Sequence, residues 1–155
     1  MRYKFPDPED PGSLAHMFQA ATEKFSERPF LYFEDEMWTY DHTNKAANSL
    51  ARYLVSTGVK HGDRVVLFME NLSSFLISLL ALNKIGAIAV LINTSLTGDP
   101  LIHCINSSDA VKCIVGAERA QPLEDVLNQI NITKQEDFLW AEDTDQYSLP
   151  DWAID

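Results

Sequence analysis

Cysteine is scarce in this chain: 155 residues hold two, Cys104 and Cys113. Two thiols cannot build a disulfide framework, and the N-terminus "MRYKFPDPEDPGS" has no apolar signal segment, so the chain reads as cytoplasmic, in a reducing compartment. That terminus carries Pro6, Pro8 and Pro11 among Asp7, Glu9 and Asp10, and is expected to form an extended leader over residues 1–12. Four Asn-x-Ser/Thr triplets start at Asn71, Asn93, Asn106 and Asn131; without secretion they are chance matches. Basic residues are also few, 12 Lys plus Arg against 23 Asp plus Glu, for a formal net charge of -11. No cationic cluster is present to displace counterions from a phosphate backbone or to dock on an anionic lipid surface, which excludes a nucleic-acid partner.

Glycine is sparse and dispersed. The six, at 12, 58, 62, 86, 98 and 116, include no adjacent pair. A phosphate-cradling loop needs clustered glycines followed by a lysine and a hydroxyl, and a dinucleotide fingerprint needs Gly-x-Gly-x-x-Gly; neither is written here. Gly58 and Gly62 have GxxxG spacing but bracket the polar "VKH", so they read as a helix cap and a turn. Of His16, His42, His61 and His103, only His103 neighbours another soft ligand, Cys104, and adjacent side chains on a helix diverge. Cys104 and Cys113 are therefore expected to be packed thiols. Glu34-Asp35-Glu36 has the charge to bind a cation, but acids in a tight turn ordinarily face water, and Asp63 before a strand reads as a turn residue. No Gly-x-Ser-x-Gly elbow occurs. The expectation is that no catalytic, cofactor-binding or metal-ligating residue lies in these 155 positions.

What is abundant is apolar sequence, with 46% hydrophobic and 23% charged residues, the composition of a globular protein. The longest apolar passage, "FMENLSSFLISLLALNKIGAIAVLIN", is either a membrane span or a strand, helix and strand. A span needs about 20 mainly apolar residues, and a charge at its centre costs about 3 kcal/mol. Asn83-Lys84 falls at that centre. Ser73 or Asn71 caps a helix over Phe75–Ile85, Gly86 ends it, and "AIAVLI" restarts as a strand, so the soluble reading is taken.

The rest of the chain follows the same alternation. Ser13 caps a helix running to about Phe25, with Leu14, Phe18, Ala21 and Phe25 near one face. "RPFLYFEDEMWTY" forms a hairpin around Glu34-Asp35-Glu36. "DHTNKAANSLARYLVSTG" forms a helix with Ala47, Leu50, Ala51 and Leu54 on one face, ended by Gly58, and "RVVLFM" a strand buried on both sides. A short helix over "GDPLIHCINSSDA", a strand "VKCIV", a helix "ERAQPLEDVLNQI" and a strand "DFLWA" complete it. The expected fold is α/β, a mostly parallel sheet flanked by helices, with an N-terminal helix and β-hairpin. Its domain spans residues 13–141, followed by an acidic irregular tail over 142–155.

From Met37 to Leu96 the order of features is more specific than any one motif. "MWTYDHTNKAANSLARYLVSTGVKHGDRVVLFMENLSSFLISLLALNKIGAIAVLINTSL" resembles the start of the adenylate-forming, acyl-CoA synthetase superfamily. The match runs through a Thr-Tyr strand end, the Asn48, Ala51 and Leu54 helix pattern, Gly58-Val59, Gly62-Asp63, and Lys84, Gly86 and Ala87. "LFMENL", "LINTSL" and "LIHCINSS" look most like its very-long-chain acyl-CoA synthetase or fatty acid transport protein branch. The resemblance covers roughly Ser13 to Ile130. It implies the N-terminal subdomain of a fatty acid–CoA ligase, which forms an acyl-adenylate from ATP and then a thioester with coenzyme A. ATP, Mg²⁺ and coenzyme A are implied for the full enzyme and none in this chain, because the resemblance puts the phosphate-binding loop and catalytic lysine further along. Implied partners are a fatty acid, the remainder of the ligase and a peripheral membrane surface. Self-association is expected of a sheet with an uncovered edge. The competing reading is a stand-alone α/β interaction or small-ligand module without catalysis.

Overall fold

A computed structural model describes residues 11–142 and 147–154. The leader expected over residues 1–12 lies almost wholly outside the described residues. The chain divides into two compact units, Met1–Gly62 with Leu76–Ile88, and Asp63–Phe75 with Ala89–Asp155, where the sequence led to one domain over 13–141.

The first unit is helical around a hairpin. Helix α1 (Leu14–Phe25) starts at Ser13, whose hydroxyl accepts the His16 N–H at 3.1 Å. Strands β1 (Pro29–Phe33) and β2 (Glu36–Thr39) pair antiparallel, with Tyr32 opposite Met37. The turn is shorter than expected: Glu34 takes φ 50° and Glu36 already belongs to β2. Helix α2 (Tyr40–Ser56) follows at once, capped by the Thr39 hydroxyl accepting from His42 N–H. Phe18, Ala47 and Leu80 form the buried centre, with Phe30, Tyr40, Leu76 and Ile77 against it. Phe18 meets Phe30 edge-on with ring centroids 4.8 Å apart.

Helix α3 (Ser73–Lys84) begins near the expected Ser73 and contributes Leu76 onward to this unit. Both long helices end alike. Gly58 at φ 97° lets Val59 N–H reach the Leu54 carbonyl at 3.0 Å, and Gly86 at φ 67° lets Ala87 N–H reach Leu82 at 2.9 Å. Each is a left-handed glycine cap, as their sequence positions indicate.

The second unit carries a parallel four-stranded sheet in the order β4-β3-β5-β6, from β3 (Arg64–Phe68), β4 (Ile88–Leu91), β5 (Lys112–Gly116) and β6 (Phe138–Ala141). Val66 stands beside Cys113, and Cys113 beside Phe138. Val65 to Phe68 and all of β5 are buried, which accounts for their unalternated apolar sequence. Helix α4 (Gly98–Ser108) and helix α5 (Ala120–Glu124) bring Leu101, Ile105 and Leu123 into the same core.

Two expectations are corrected here. The helix expected over "ERAQPLEDVLNQI" is broken into α5 and 3₁₀ turns at Ala117–Arg119 and Leu127–Gln129. Pro122 has no N–H to return to the Glu118 carbonyl and is tolerated only in a first helical turn, so the helix starts afresh at Ala120 instead of running on from the 3₁₀ turn at Ala117–Arg119. The tail is not irregular to its end: Ile154 bridges Leu139 in parallel, and Ala153 is 2% exposed. Trp152 packs edge-on against Phe138 and Trp140, apolar contacts that outweigh the acidic local sequence.

Candidate functional site

In an open parallel sheet, ligands gather outside the carboxyl ends of the strands, where the connections diverge. Here the chain goes from β3 to β4 on one side and then crosses to β5 on the other, so the divergence falls between β3 and β5. Four residues from three loops meet at that end. Glu70 follows β3, Thr94 follows β4, and Glu118 and Arg119 follow β5.

One carboxylate and one guanidinium tie these loops. Glu118 accepts the backbone N–H of Glu70 at 2.7 Å. Arg119 forms an ion pair through Nη2 with the Glu70 carboxylate and donates through Nη1 to the Thr94 carbonyl at 3.4 Å. Its Nε is buried and without a partner among the described residues. Gly116 closes the arrangement, because the Glu118 carboxylate lies over its Cα, where a side chain would stand. With Glu70 43% and Arg119 28% exposed, the pair is partly solvated and its worth is geometric more than energetic. This arrangement positions loops; it holds no nucleophile paired with a base.

None of Glu70, Thr94, Gly116, Glu118 and Arg119 stands out in the sequence, since Glu70 and Arg119 are 49 positions apart. The usable signal is positional: Glu70 directly follows "RVVLFM", and Glu118-Arg119 directly follow "VKCIVG".

The residues weighed from sequence are scattered. Glu34 and Asp35 form the hairpin turn, and Glu36 accepts from Trp38 Nε1 at 2.8 Å. His42 stacks on Trp38 with centroids 4.2 Å apart. Ser107 Oγ donates to the backbone carbonyl of His103. Cys113 is buried, and burial pushes its thiol well above the usual range, so it does not serve as a nucleophile. Cys104 is half-buried against the core. Gly62 occupies a left-handed turn and donates its N–H to the Gly86 carbonyl. Among the described residues no group of three or more His, Cys, Asp or Glu is placed to hold a metal, and no helix is long and apolar enough to cross a membrane.

At the amino ends of the strands the polar contacts are structural. Lys112, 5% exposed, donates to Asp137 Oδ1 at 2.6 Å and to the Glu136 carbonyl at 2.9 Å. A cavity of about 410 Å³ lies near the start of β6, walled by Leu127, Ile130, Ile132, Phe138 and Trp152; no ionisable group lines it, so it offers no acid–base chemistry.

Comparison with known proteins adds the context that geometry leaves open. The AMP-binding enzyme family matches residues 18–153. The chain is 31% identical over 111 residues to long-chain fatty acid transport protein 6 of Mus musculus, covering 71% of this chain and 18% of that protein. It is 33% identical over 131 residues to the medium/long-chain-fatty-acid–CoA ligase FadD6 of Mycobacterium tuberculosis, covering 77% and 22%. In fold it is similar to the crystal structure of a putative long-chain-fatty-acid CoA ligase from Rhodopseudomonas palustris, with TM-score 0.77 and 23% identity over 92% of this chain and 36% of that one. The chain thus spans about a fifth of the length of these curated relatives.

Proposed function

This chain belongs to the AMP-binding enzyme family over residues 18–153, and on that premise we propose that it is the N-terminal framework of an ATP-dependent fatty acid–CoA ligase. The supporting observation is the 33% identity, over 77% of this chain, to a protein named as a medium/long-chain-fatty-acid–CoA ligase. The parent's substrate in this reading is a medium- to very-long-chain fatty acid, which it activates as an adenylate and passes to coenzyme A.

The chemistry of the crevice supports a framework role. A carboxylate is a poor electrophile, and its adenylation needs preorganised donors and a divalent cation on the transferring phosphate. The residues here do not fit a nucleotide triphosphate. The cation at the strand ends, Arg119, is committed to Glu70 and Thr94, and the N–H of Glu70 is committed to Glu118. Two carboxylates against one guanidinium repel a polyphosphate. We therefore derive no step of adenylation through this chain's own residues and assign them the task of holding three loops in register. The fragment by itself is inactive in this reading.

The test is acid-dependent release of pyrophosphate from ATP, measured for this chain and for the longer reading frame that contains it. Release from the longer form alone is the expected result. Release from the short chain overturns the framework role, and no release from the longer form with any fatty acid overturns the ligase reading.

A further inference from the structure

Strands β3 and β5 end side by side, with Phe68 and Val115 as register partners. Beyond that point the chain leaves the ladder, and the bonds inside each loop are local. Leu72 N–H donates to the Glu70 carbonyl at 2.9 Å, Leu96 N–H to the Asn93 carbonyl at 3.0 Å, and Ser95 N–H to Asn93 Oδ1 at 2.9 Å. Such turns give a loop its shape but do not set its distance from the next loop. That distance is set by Glu118, which accepts the Glu70 N–H, and by Arg119, which holds the Glu70 carboxylate and the Thr94 carbonyl.

Glu118 is the fixed member of this group. Its side chain is half-buried, and its carboxylate lies over the Cα of buried Gly116, in space that only a glycine leaves free. The ion pair it supports is partly solvated and adds little to stability. A contact of small energetic worth that fixes the separation of three loops has its main effect on what binds between them. A misplacement of about 1 Å at a reacting centre costs on the order of a hundredfold in rate.

We infer that Glu118 is a positioning residue of the parent enzyme, holding the loop after β3 against the loop after β5 and thereby shaping one wall of the crevice in which substrate lies. This rests on the ligase reading above. Glu118 makes and breaks no bond in the reaction; it acts through the Glu70 backbone. Loosening it displaces the wall and weakens the hold on the substrate that lies along it, so the change appears in KM. A substitution that merely lowers the folded fraction reduces the apparent kcat and leaves each KM where it was.

Steady-state kinetics of the longer reading frame, with ATP, a fatty acid and coenzyme A varied in turn, test this. Glu118→Ala is expected to raise the KM for at least one of the three about tenfold or more. Glu118→Gln, whose amide oxygen accepts the same N–H, is expected to recover most of that loss. Gly116→Ala pushes the carboxylate aside and is expected to raise the KM for the same substrate, so the effect is reached by two different changes. Lys112→Met, at the amino ends of the strands, is the comparator that lowers stability and leaves the KM values unchanged. Circular dichroism checks that each variant folds. Unchanged KM values in Glu118→Ala overturn the inference, as does a Glu118→Gln variant as impaired as Glu118→Ala. An equal rise in Lys112→Met overturns it too, by reducing the effect to general loosening. An unsubstituted longer form that makes no acyl-CoA overturns the ligase reading and this inference with it, whereas an active one with an unaffected Glu118→Ala overturns this inference alone.

Discussion

The carboxylate of Glu118 and the backbone N–H of Glu70 are 2.7 Å apart although 48 positions separate them in the chain. This bond joins the loop after β5 to the loop after β3. With the Arg119–Glu70 ion pair it sets the spacing of the strand ends where an α/β sheet places its crevice.

Gly116→Ala tests that joint. An added Cβ would stand 2.7 Å from Glu118 Cδ, so the carboxylate must swing away and release Glu70. The expected cost is about 1 kcal/mol, the worth of one hydrogen bond to a charged acceptor in a partly solvated site. Urea unfolding of Gly116→Ala, Glu118→Ala and the double variant should show less than additive losses. Full additivity would mean that the two residues do not act through one contact.

Lys112 and Asp137 give a larger effect. Lys112→Ala leaves Asp137 Oδ1 and the Glu136 carbonyl without their donor next to a side chain that was 5% exposed. Removing one partner of a buried pair strands the other, and a loss of about 3 kcal/mol is expected in denaturant unfolding. Lys112→Met keeps the aliphatic packing and should lose less. Equal losses would assign the whole effect to the missing ammonium and none of it to the packing of the stem.

Lys84 makes stability depend on pH in the alkaline range. Partial burial of its ammonium lowers its pKa below the ordinary 10.5. Below the folded pKa both states carry the charge, and the fold bears the full desolvation cost. As pH rises through the folded value toward 10.5, the folded chain releases the proton first and that cost is relieved. Lys84→Met should therefore be the more stable protein at neutral pH, with its advantage shrinking as pH approaches 10.5. Because Lys84 is only partly buried, the gap is small. Urea midpoints of both proteins across that range provide the check, and a gap that widens with pH would refute the assignment.

Ile154→Pro removes the N–H donated to Phe138 and loosens Trp152 from Phe138 and Trp140. Tryptophan emission should shift to longer wavelength as the indole gains water. The unfolding free energy should fall by about 1 kcal/mol. An unchanged spectrum would show that the 152–154 segment does not hold the indole in place.

Local chemistry is what the sequence reveals well. Ser13, Gly58 and Gly86 announce helix ends because capping is decided within a few residues, and the structure has all three where their neighbours place them. The apolar passage from Phe68 to Asn93 divides into strand, helix and strand for the same reason: Gly86 and the capping hydroxyls act locally. The helix expected after Gly116 failed where the periodic apolar pattern outvoted Pro122, although the steric objection was already visible in the residue itself.

By itself, then, the sequence determined the alternation of elements, the parallel sheet and the family, all of which rest on periodicity, caps and motif order along the chain. Which loops meet was decided only in three dimensions. The order β4-β3-β5-β6 brings Glu70, Thr94 and Arg119 together, and no local pattern encodes a contact between residues 25 or 49 positions apart. Tertiary packing likewise decided that an acidic-looking tail would return to the β6 edge. Burying Ala153 and Trp152 against a preformed apolar surface is favourable only once that surface exists.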